Sequence, residues 1–463
     1  MRLKTVAAEE ALLSYRVPDE ETATYKAPVA TTPAALETEV ATKAIRTHDP
    51  IPNFRRSAVT LKSRRRQFLQ RGFMRMKGQQ LSKKGALVLL SGALLFGGRW
   101  FWANQAPVIP YLPKLEVALD GPNALHFFSA AMDSMTYREV RDIGGPDTDT
   151  VAQQKEAVTK LAPSLKLLRE GLQYHYQGNQ TKFWKGSSPY QTGLNAPVPD
   201  LIAIRTLGRA LADDARLKEQ AGDYVGAISA SLDATQFGAE ISHGSDSLIQ
   251  PMVGELVVGI GISEATRSVA KLTPEQAQSA LARLQKISAR RTTLEEMWQG
   301  EMRQNWSLLG QLFQDPSGTL PLMAFSSNSQ TVMPSYFAEL MRYGKQGLVD
   351  QVTSYQSAVL EKFRLPYQQS QARLLAPPES DLVQLMTPNT RRIERGYAER
   401  SVKLALLQAA LMQQAKSSLK LPADAFSKTG LEPLHADTKT GKVWSVGPNG
   451  VDEHGGGDDI SGA

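Results

Sequence analysis

Lys83-Lys84 is followed by fourteen residues without a charge, Gly85-Ala-Leu-Val-Leu-Leu-Ser-Gly-Ala-Leu-Leu-Phe-Gly-Gly98, and the run closes on Arg99-Trp-Phe-Trp-Ala103. The fourteen alone fall short of the roughly 17–25 residues that a spanning helix needs. Continued to Ala103 the segment is nineteen residues, about 28 Å at the helical rise, close to a hydrocarbon core of about 30 Å. Arg99 would cost roughly 2.5–3.5 kcal/mol at the bilayer centre, but near a helix end its guanidinium can reach the interface. Trp100 and Trp102 suit that interface, ring in lipid and N–H among headgroups. The segment 85–103 is therefore expected to be a single transmembrane helix.

Orientation follows from charge. Eleven Lys or Arg and no Asp or Glu lie between Arg55 and Lys84, and no comparable basic cluster follows Ala103. The positive-inside bias places residues 1–84 in the cytoplasm and residues from about 104 onward outside, in a bacterial inner (cell) membrane. Two rival readings are a cleaved signal and a buried core helix. Arg65-Arg66-Gln67-Phe68-Leu69-Gln70 resembles a twin-arginine export signal, with Gln70 where that pattern prefers Lys. A cleaved secretory signal wants a short basic region and an Ala-x-Ala-like site. Here 84 residues precede the run, and Ala103-Asn-Gln-Ala106 has the wrong spacing.

The net charge of +7 suggests nucleic-acid binding only until the charges are located. Residues 1–84 carry 17 Lys/Arg against 8 Asp/Glu, and the remainder 36 against 38. The basic excess is a juxtamembrane segment, which attracts anionic lipid headgroups, and no nucleic-acid partner is expected. The chain has no cysteine, so disulfides, thiolate metal sites and thiol catalysis are excluded. The region beyond the anchor must be held by its apolar core.

Residues 1–54 read as disordered, having few groups to bury. Three prolines in Pro107-Val-Ile-Pro-Tyr-Leu-Pro113 predict a stiff spacer over 104–120 that holds the folded part off the bilayer. Residues 121–420 then read as helix after helix. Ile204, Leu207, Gly208, Leu211 and Ala215 recur at three and four. Asp223 is placed as an N-cap, and Tyr224, Ala227, Ile228 and Leu232 follow on one face. Leu248–Leu272 is apolar enough to be a central core helix. Thr273-Pro274-Glu275-Gln276 is a capping-box pattern with Pro at N1. Leu294, Met297, Trp298, Met302, Trp306, Leu309 and Phe313 align in a fifth helix. Residues 315–333 read as a loop, with further helices over about 335–364 and 391–419. The fold class is all-α, a helical-hairpin array, with a small strand-turn segment at 421–463.

The hairpin from Leu211 to Phe237 resembles one tetratricopeptide unit through Ala215, Gly222-Asp-Tyr224, Ala227 and Ala234, and departs from it at Lys218 and Ser231. A plain helical hairpin accounts for the same residues.

Catalytic patterns are sparse. No His-x-x-x-His, Gly-x-Ser-x-Gly or Walker sequence occurs. His243-Gly-Ser-Asp246 could seat a base beside a hydroxyl, and Glu255, in an apolar run, is the carboxylate whose pKa desolvation should raise. A buried glutamate equally pairs with an arginine, Arg267 or Arg205 for example. Glu295, Glu296 and Glu301 are expected mostly on a solvated face.

The C-terminus concentrates oxygen ligands on a turn-prone backbone: Trp444-Ser-Val-Gly-Pro-Asn-Gly450, then Val-Asp452-Glu453-His-Gly-Gly-Gly-Asp458-Asp459-Ile460. Ca²⁺ takes six to eight oxygens in flexible loops. This stretch resembles the C-terminal loop of type II secretion major pseudopilins. That resemblance implies a Ca²⁺ site with Asn449, Asp452, Asp458 and Asp459 as ligands, and a role in secretion or pilus assembly. Pseudopilins are short, whereas some 300 helical residues intervene here. The same tail, with Leu421-Pro-Ala-Asp-Ala-Phe-Ser-Lys-Thr-Gly-Leu-Glu-Pro-Leu434 and Gly121-Pro-Asn-Ala-Leu125, also resembles a group of uncharacterised single-pass bacterial membrane proteins. That likeness implies architecture only. A disordered acidic end is the alternative account of the tail. Three function classes follow: a single-pass envelope protein whose helical domain binds partner proteins, a secretion- or pilus-related component, and a hydrolase using Glu255 or His243.

Overall fold

The computed structural model describes residues 83–112, 121–135, 149–176, 198–245, 247–315, 329–418 and 420–462. The expected basic tail up to residue 82, the end of the spacer from 113 to 120, most of the loop at 315–333 and Asp246 lie outside them. The chain divides into two units: Trp102 onward forms one, and the described part of the other is the helix leading to Phe101.

That helix, α1, is Lys83–Ala103. Its bounds match the apolar run. Among the described residues, however, no helix is long and apolar enough to cross a membrane. Ser91, the glycines at 92, 97 and 98, and Arg99 dilute the run.

The larger unit is mostly helical, as expected. It opens with α2 (Ala124–Asp133), α3 (Val151–Lys160) and α4 (Ala162–Gly171). The sequence reading did not place these. Each nonetheless carries a local start signal or a proline: Asn123 caps α2, Thr150 and Gln153 form a capping box, and Pro163 sits in the first turn of α4. Next come α5 (Val198–Gln220) and α6 (Tyr224–Ile241). Between them the N–H of Asp223 reaches back to the carbonyl of Lys218 at 2.8 Å, and Gly222 takes φ 79°, a C-terminal stop that needs glycine. Asp223 then caps α6 by accepting from the Gly226 N–H.

The apolar run at 248–272 becomes α7 (Ile249–Ser268) and one 3₁₀ turn, Val269–Lys271. Its apolar residues surround the axis because it packs on several partners, α5 and α6 among them. The crossing with α6 is close. A Cβ on Gly238 would stand 2.7 Å from the Val258 nitrogen, and one on Gly261 2.6 Å from that of Thr235. Next are α8 (Pro274–Ala289), opened by the expected Thr273–Gln276 capping box, and α9 (Leu294–Gln314), opened by Thr293–Glu296. Ser329–Phe363 is α10, which begins earlier than expected and breaks at Gly344, φ 70° and ψ 169°. Two short helices, α11 (Tyr367–Ala372) and α12 (Asp381–Leu385), lead to the long α13 (Thr390–Gln414).

Among the described residues four buried clusters run through this unit. α2, α4, α5 and α6 enclose Phe128, Leu165, Leu207 and Phe237, while α6, α7, α8 and α13 enclose Leu232, Ile262, Leu281 and Leu407. α9, α10 and α12 enclose Trp298, Leu309, Leu348 and Val383. The fourth joins α11 and α13 to the C-terminal segment through Phe426 and Val443. There β1 (His435–Ala436), β2 (Val443–Ser445) and β3 (Ile460–Ser461) form an antiparallel sheet in the order β1-β2-β3, Trp444 opposing His435 on one side and Ser461 on the other.

The spacer departs from expectation. Ile109 and Leu112 pack against the α9–α10 cluster, and the N–H of Val108 donates to Gln346 Oε1 at 2.7 Å. Proline keeps residues 104–112 out of helix, but Ile109 and Leu112, three apart, still find a core to enter.

Candidate functional site

The C-terminal turn is built on glycine. Gly447 has φ 66°, and a Cβ there would press on the carbonyl of Asp458, so only glycine lets the two strand ends of the loop approach. Asp424 organises the base of the loop. Its Oδ1 accepts from the Phe426 N–H and the Ser445 hydroxyl, and its Oδ2 from the Val446 N–H.

The loop brings Glu453, Asp458 and Asp459 together, one oxygen of each lying within 4.8 Å of the others. Backbone N–H groups fix them. Asp458 Oδ2 accepts from Asn449, Asp459 Oδ2 from Glu453 and Gly455, and Glu453 Oε2 from Asp458. Asp459 Oδ1 is buried and has no hydrogen-bond partner. Three hard oxygens held this way can coordinate a cation such as Ca²⁺.

Of the four residues that the resemblance implied, Asp458 and Asp459 lie in this cluster. Asn449 turns back to its own chain, Oδ1 accepting from the Val451 N–H at 2.6 Å. Asp452 faces elsewhere. It accepts from Trp444 Nε1 at 2.8 Å, and its Oδ2 lies 3.1 Å from His435 Nδ1. The Trp444 hydrogen bond leads in holding the Asp452 carboxyl below its usual range. Glu453, outside the implied set, joins the cluster from the same acidic run.

Glu255 is buried on α7 as expected, but its carboxyl is not raised. Burial pushes it up; Arg291 and Arg400 together outweigh burial and hold it below the ordinary glutamate value. Arg291 Nε lies 2.8 Å from Glu255 Oε1, and Arg400 Nε lies 3.1 Å from Oε2. The partners are thus not Arg205 or Arg267, the latter pairing with Glu219 at 3.0 Å. Arg291 also stacks on the Tyr397 ring and donates to Ser401 Oγ.

His243 Nδ1 lies 3.1 Å from Thr292 Oγ1, and burial lowers its pKa. The hydroxyl beside it is therefore Thr292, from the turn before α9. Ser245 instead donates to the Ser247 carbonyl.

Glu301 corrects another expectation. It is buried rather than solvated, and burial raises its pKa to about 7, with the Leu248 N–H and the Asn305 side chain opposing. Glu295 and Glu296 are half-buried, one paired with Arg364 and the other closing the α9 cap.

In α1 the nine large apolar side chains from Leu87 to Phe101 stand 40 to 76% exposed. They point to every side of the helix rather than forming one stripe.

Comparison of the chain with protein-family models, with curated proteins and with solved structures finds no match.

Proposed function

We propose that this chain is a single-pass envelope protein in which α1 lies in the bacterial cell membrane and the helical unit stands outside, working by binding partner proteins. The observation that carries the reading is α1 itself. Its nine large apolar side chains point to every side and stand exposed, an arrangement expected where something apolar surrounds the helix. Lys83 and Lys84 at its start and Arg99, Trp100 and Trp102 at its end suit the two interfaces. The eleven basic residues from Arg55 to Lys84 would face anionic headgroups on the cytoplasmic side. The test is a reporter enzyme active only outside the cytoplasm, fused after Ala463. Activity, with the protein retained in alkali-washed membranes, is the expected result; a silent reporter and a freely soluble chain would overturn it.

A second reading, that the C-terminal loop holds Ca²⁺ as in the secretion pseudopilins it resembles, is favoured by the convergence of Glu453, Asp458 and Asp459. Thermal melting with and without Ca²⁺ tests it. The hydrolytic reading gains nothing from the geometry, since Glu255 is 1% exposed and tied up by two guanidiniums.

A further inference from the structure

Asp213 lies wholly buried on α5, and among the described residues neither of its oxygens has a hydrogen-bond partner. A carboxylate only accepts, so a charged Asp213 would need N–H or hydroxyl donors around it. The site suits the neutral acid instead, which leaves water at a far smaller cost than the ion.

The charges nearby do not supply a counter-ion. Asp149, one residue before the Thr150 cap of α3, and Glu264 on α7 both disfavour a second negative charge here. Arg209 and Arg216, on α5 itself, favour one. Arg216, however, is spread over Glu264, with Nε 3.2 Å from Oε2 and Nη2 2.8 Å from Oε1. Asp214, the next residue, turns to Arg169 on α4 and to Lys218, and Arg169 also takes Asp233 of α6. His126 and Asp133 of α2 are exposed, and on α3 Glu156 and Lys160 pair with each other at the surface. Burial first, then the Asp149 charge, push the Asp213 pKa up to about 7.

The element that can yield to this charge is α3. Among the described residues it packs chiefly on α5. Of its ten residues Gln154 and Ala157 are buried, whereas α6, also packed on α5, buries thirteen of eighteen. A helix that buries so little apolar surface opens at a fraction of the cost of global unfolding. Asp149 stands at its start, so lifting α3 carries away the strongest repelling charge as it lets water in.

We propose that Asp213 is a proton-operated latch on α3: the helix is docked on α5 while the carboxyl is neutral and lifts away once it ionises. The latch does not depend on the anchor, since α3 and α5 both lie in the unit that begins at Trp102. The docked pKa is the raised one, so docking is strongest below about pH 4 and weakens as pH rises through 7.

Hydrogen–deuterium exchange on the full chain in neutral detergent follows α3 at pH 5 and pH 8, corrected for intrinsic exchange, with α8 as the control. Opening linked to one carboxyl whose pKa changes in this way should become about 100-fold more favourable over that interval. Wild-type α3 should lose about that much protection at pH 8 while α8 keeps its own. Asp213→Asn should hold α3 protected at both pH values, and Asp213→Ala serves the same comparison if the asparagine variant does not fold. Equal protection of wild-type α3 at the two pH values overturns the latch. Loss in α3 and α8 together overturns it as well, because the whole fold then bears the charge. A pH-dependent loss that persists without Asp213 assigns the effect to another group, such as Asp149, and overturns it too.

Discussion

Ser445 donates its hydroxyl to Asp424 Oδ1 at 2.7 Å, across 21 residues of chain, and both side chains are fully buried. The same carboxylate takes the N–H groups of Phe426 and Val446, so one aspartate fixes a turn, a strand and the entry to the C-terminal loop. Asp424→Ala leaves those donors buried without a partner, and the expected loss is about 3 kcal/mol. Ser445→Ala removes one bond and should cost about 1 kcal/mol. Because the two share a network, the double variant should lose less than the sum. Urea unfolding of the four proteins measures this, and strict additivity would contradict the coupling.

Glu255 makes the opposite kind of statement about charge. It joins α7 to the turn before α9, through Arg291, and to α13, through Arg400. Glu255→Gln strands two guanidiniums, one of them 7% exposed, and is expected to destabilise by about 3–5 kcal/mol. Its folded pKa lies below the unfolded one, so its contribution is present above about pH 4.5 and fades as pH falls further. Melting curves at pH 7 and at pH 3 should therefore show a narrower gap between wild type and variant at the lower pH.

Glu301 carries the reverse sign. Its folded pKa of about 7 exceeds the usual 4.5, so between those values the folded chain holds a proton that the unfolded chain has lost. Stability from this group is whole below about pH 4.5 and drains away as pH rises through 7. Glu301→Gln keeps an acceptor for the Leu248 N–H and removes the charge. It should match wild type at pH 5 and exceed it at pH 8 by about 2–3 kcal/mol. Asp213, fully buried with both oxygens unpartnered and a pKa raised to about 7 by burial, should respond to Asp213→Asn in the same direction. A variant that loses stability at pH 8 would show that the buried charge is compensated after all.

Glu255 and Glu301 mark the boundary of what the sequence made legible. Local signals held: the Thr273–Gln276 box, the Asp223 cap, and the stripe from Leu294 to Leu309 all stand where spacing put them. Glu301 was misplaced although the signal was there, since it lies three residues after Trp298 and four before Asn305, on the buried face. Its polarity points to solvent while its periodicity points to the core, and burial follows the periodicity. The partners of Glu255 were beyond reach, because Arg291 is 36 and Arg400 145 residues away and nothing local singles them out. In the C-terminal loop composition singles out the stretch where carboxylates cluster, but which of them converge depends on the backbone N–H that each one meets. That is a property of the turn, not of the residue list.

The loop supplies the last prediction. Glu453, Asp458 and Asp459 hold three negative charges within a few ångströms, and backbone donors offset only part of their repulsion. A divalent cation would offset the rest. For an extracellular-type site with a Kd of about 10⁻⁴ M, about 10 mM Ca²⁺ stabilises by about 2.7 kcal/mol. The melting temperature of the full chain should rise accordingly, and the rise should vanish in Asp458→Ala with Asp459→Ala. Glu453→Gln should weaken it, because that side chain is part of the cluster. Asp452→Ala, by contrast, should melt lower yet keep the Ca²⁺ response, since its carboxylate is committed to Trp444 and His435. The contrast between Glu453 and Asp452 is what separates the geometry from the sequence-based ligand set. A response lost with Asp452 but kept with Glu453→Gln would restore that set, and no rise at all in wild type would remove the site.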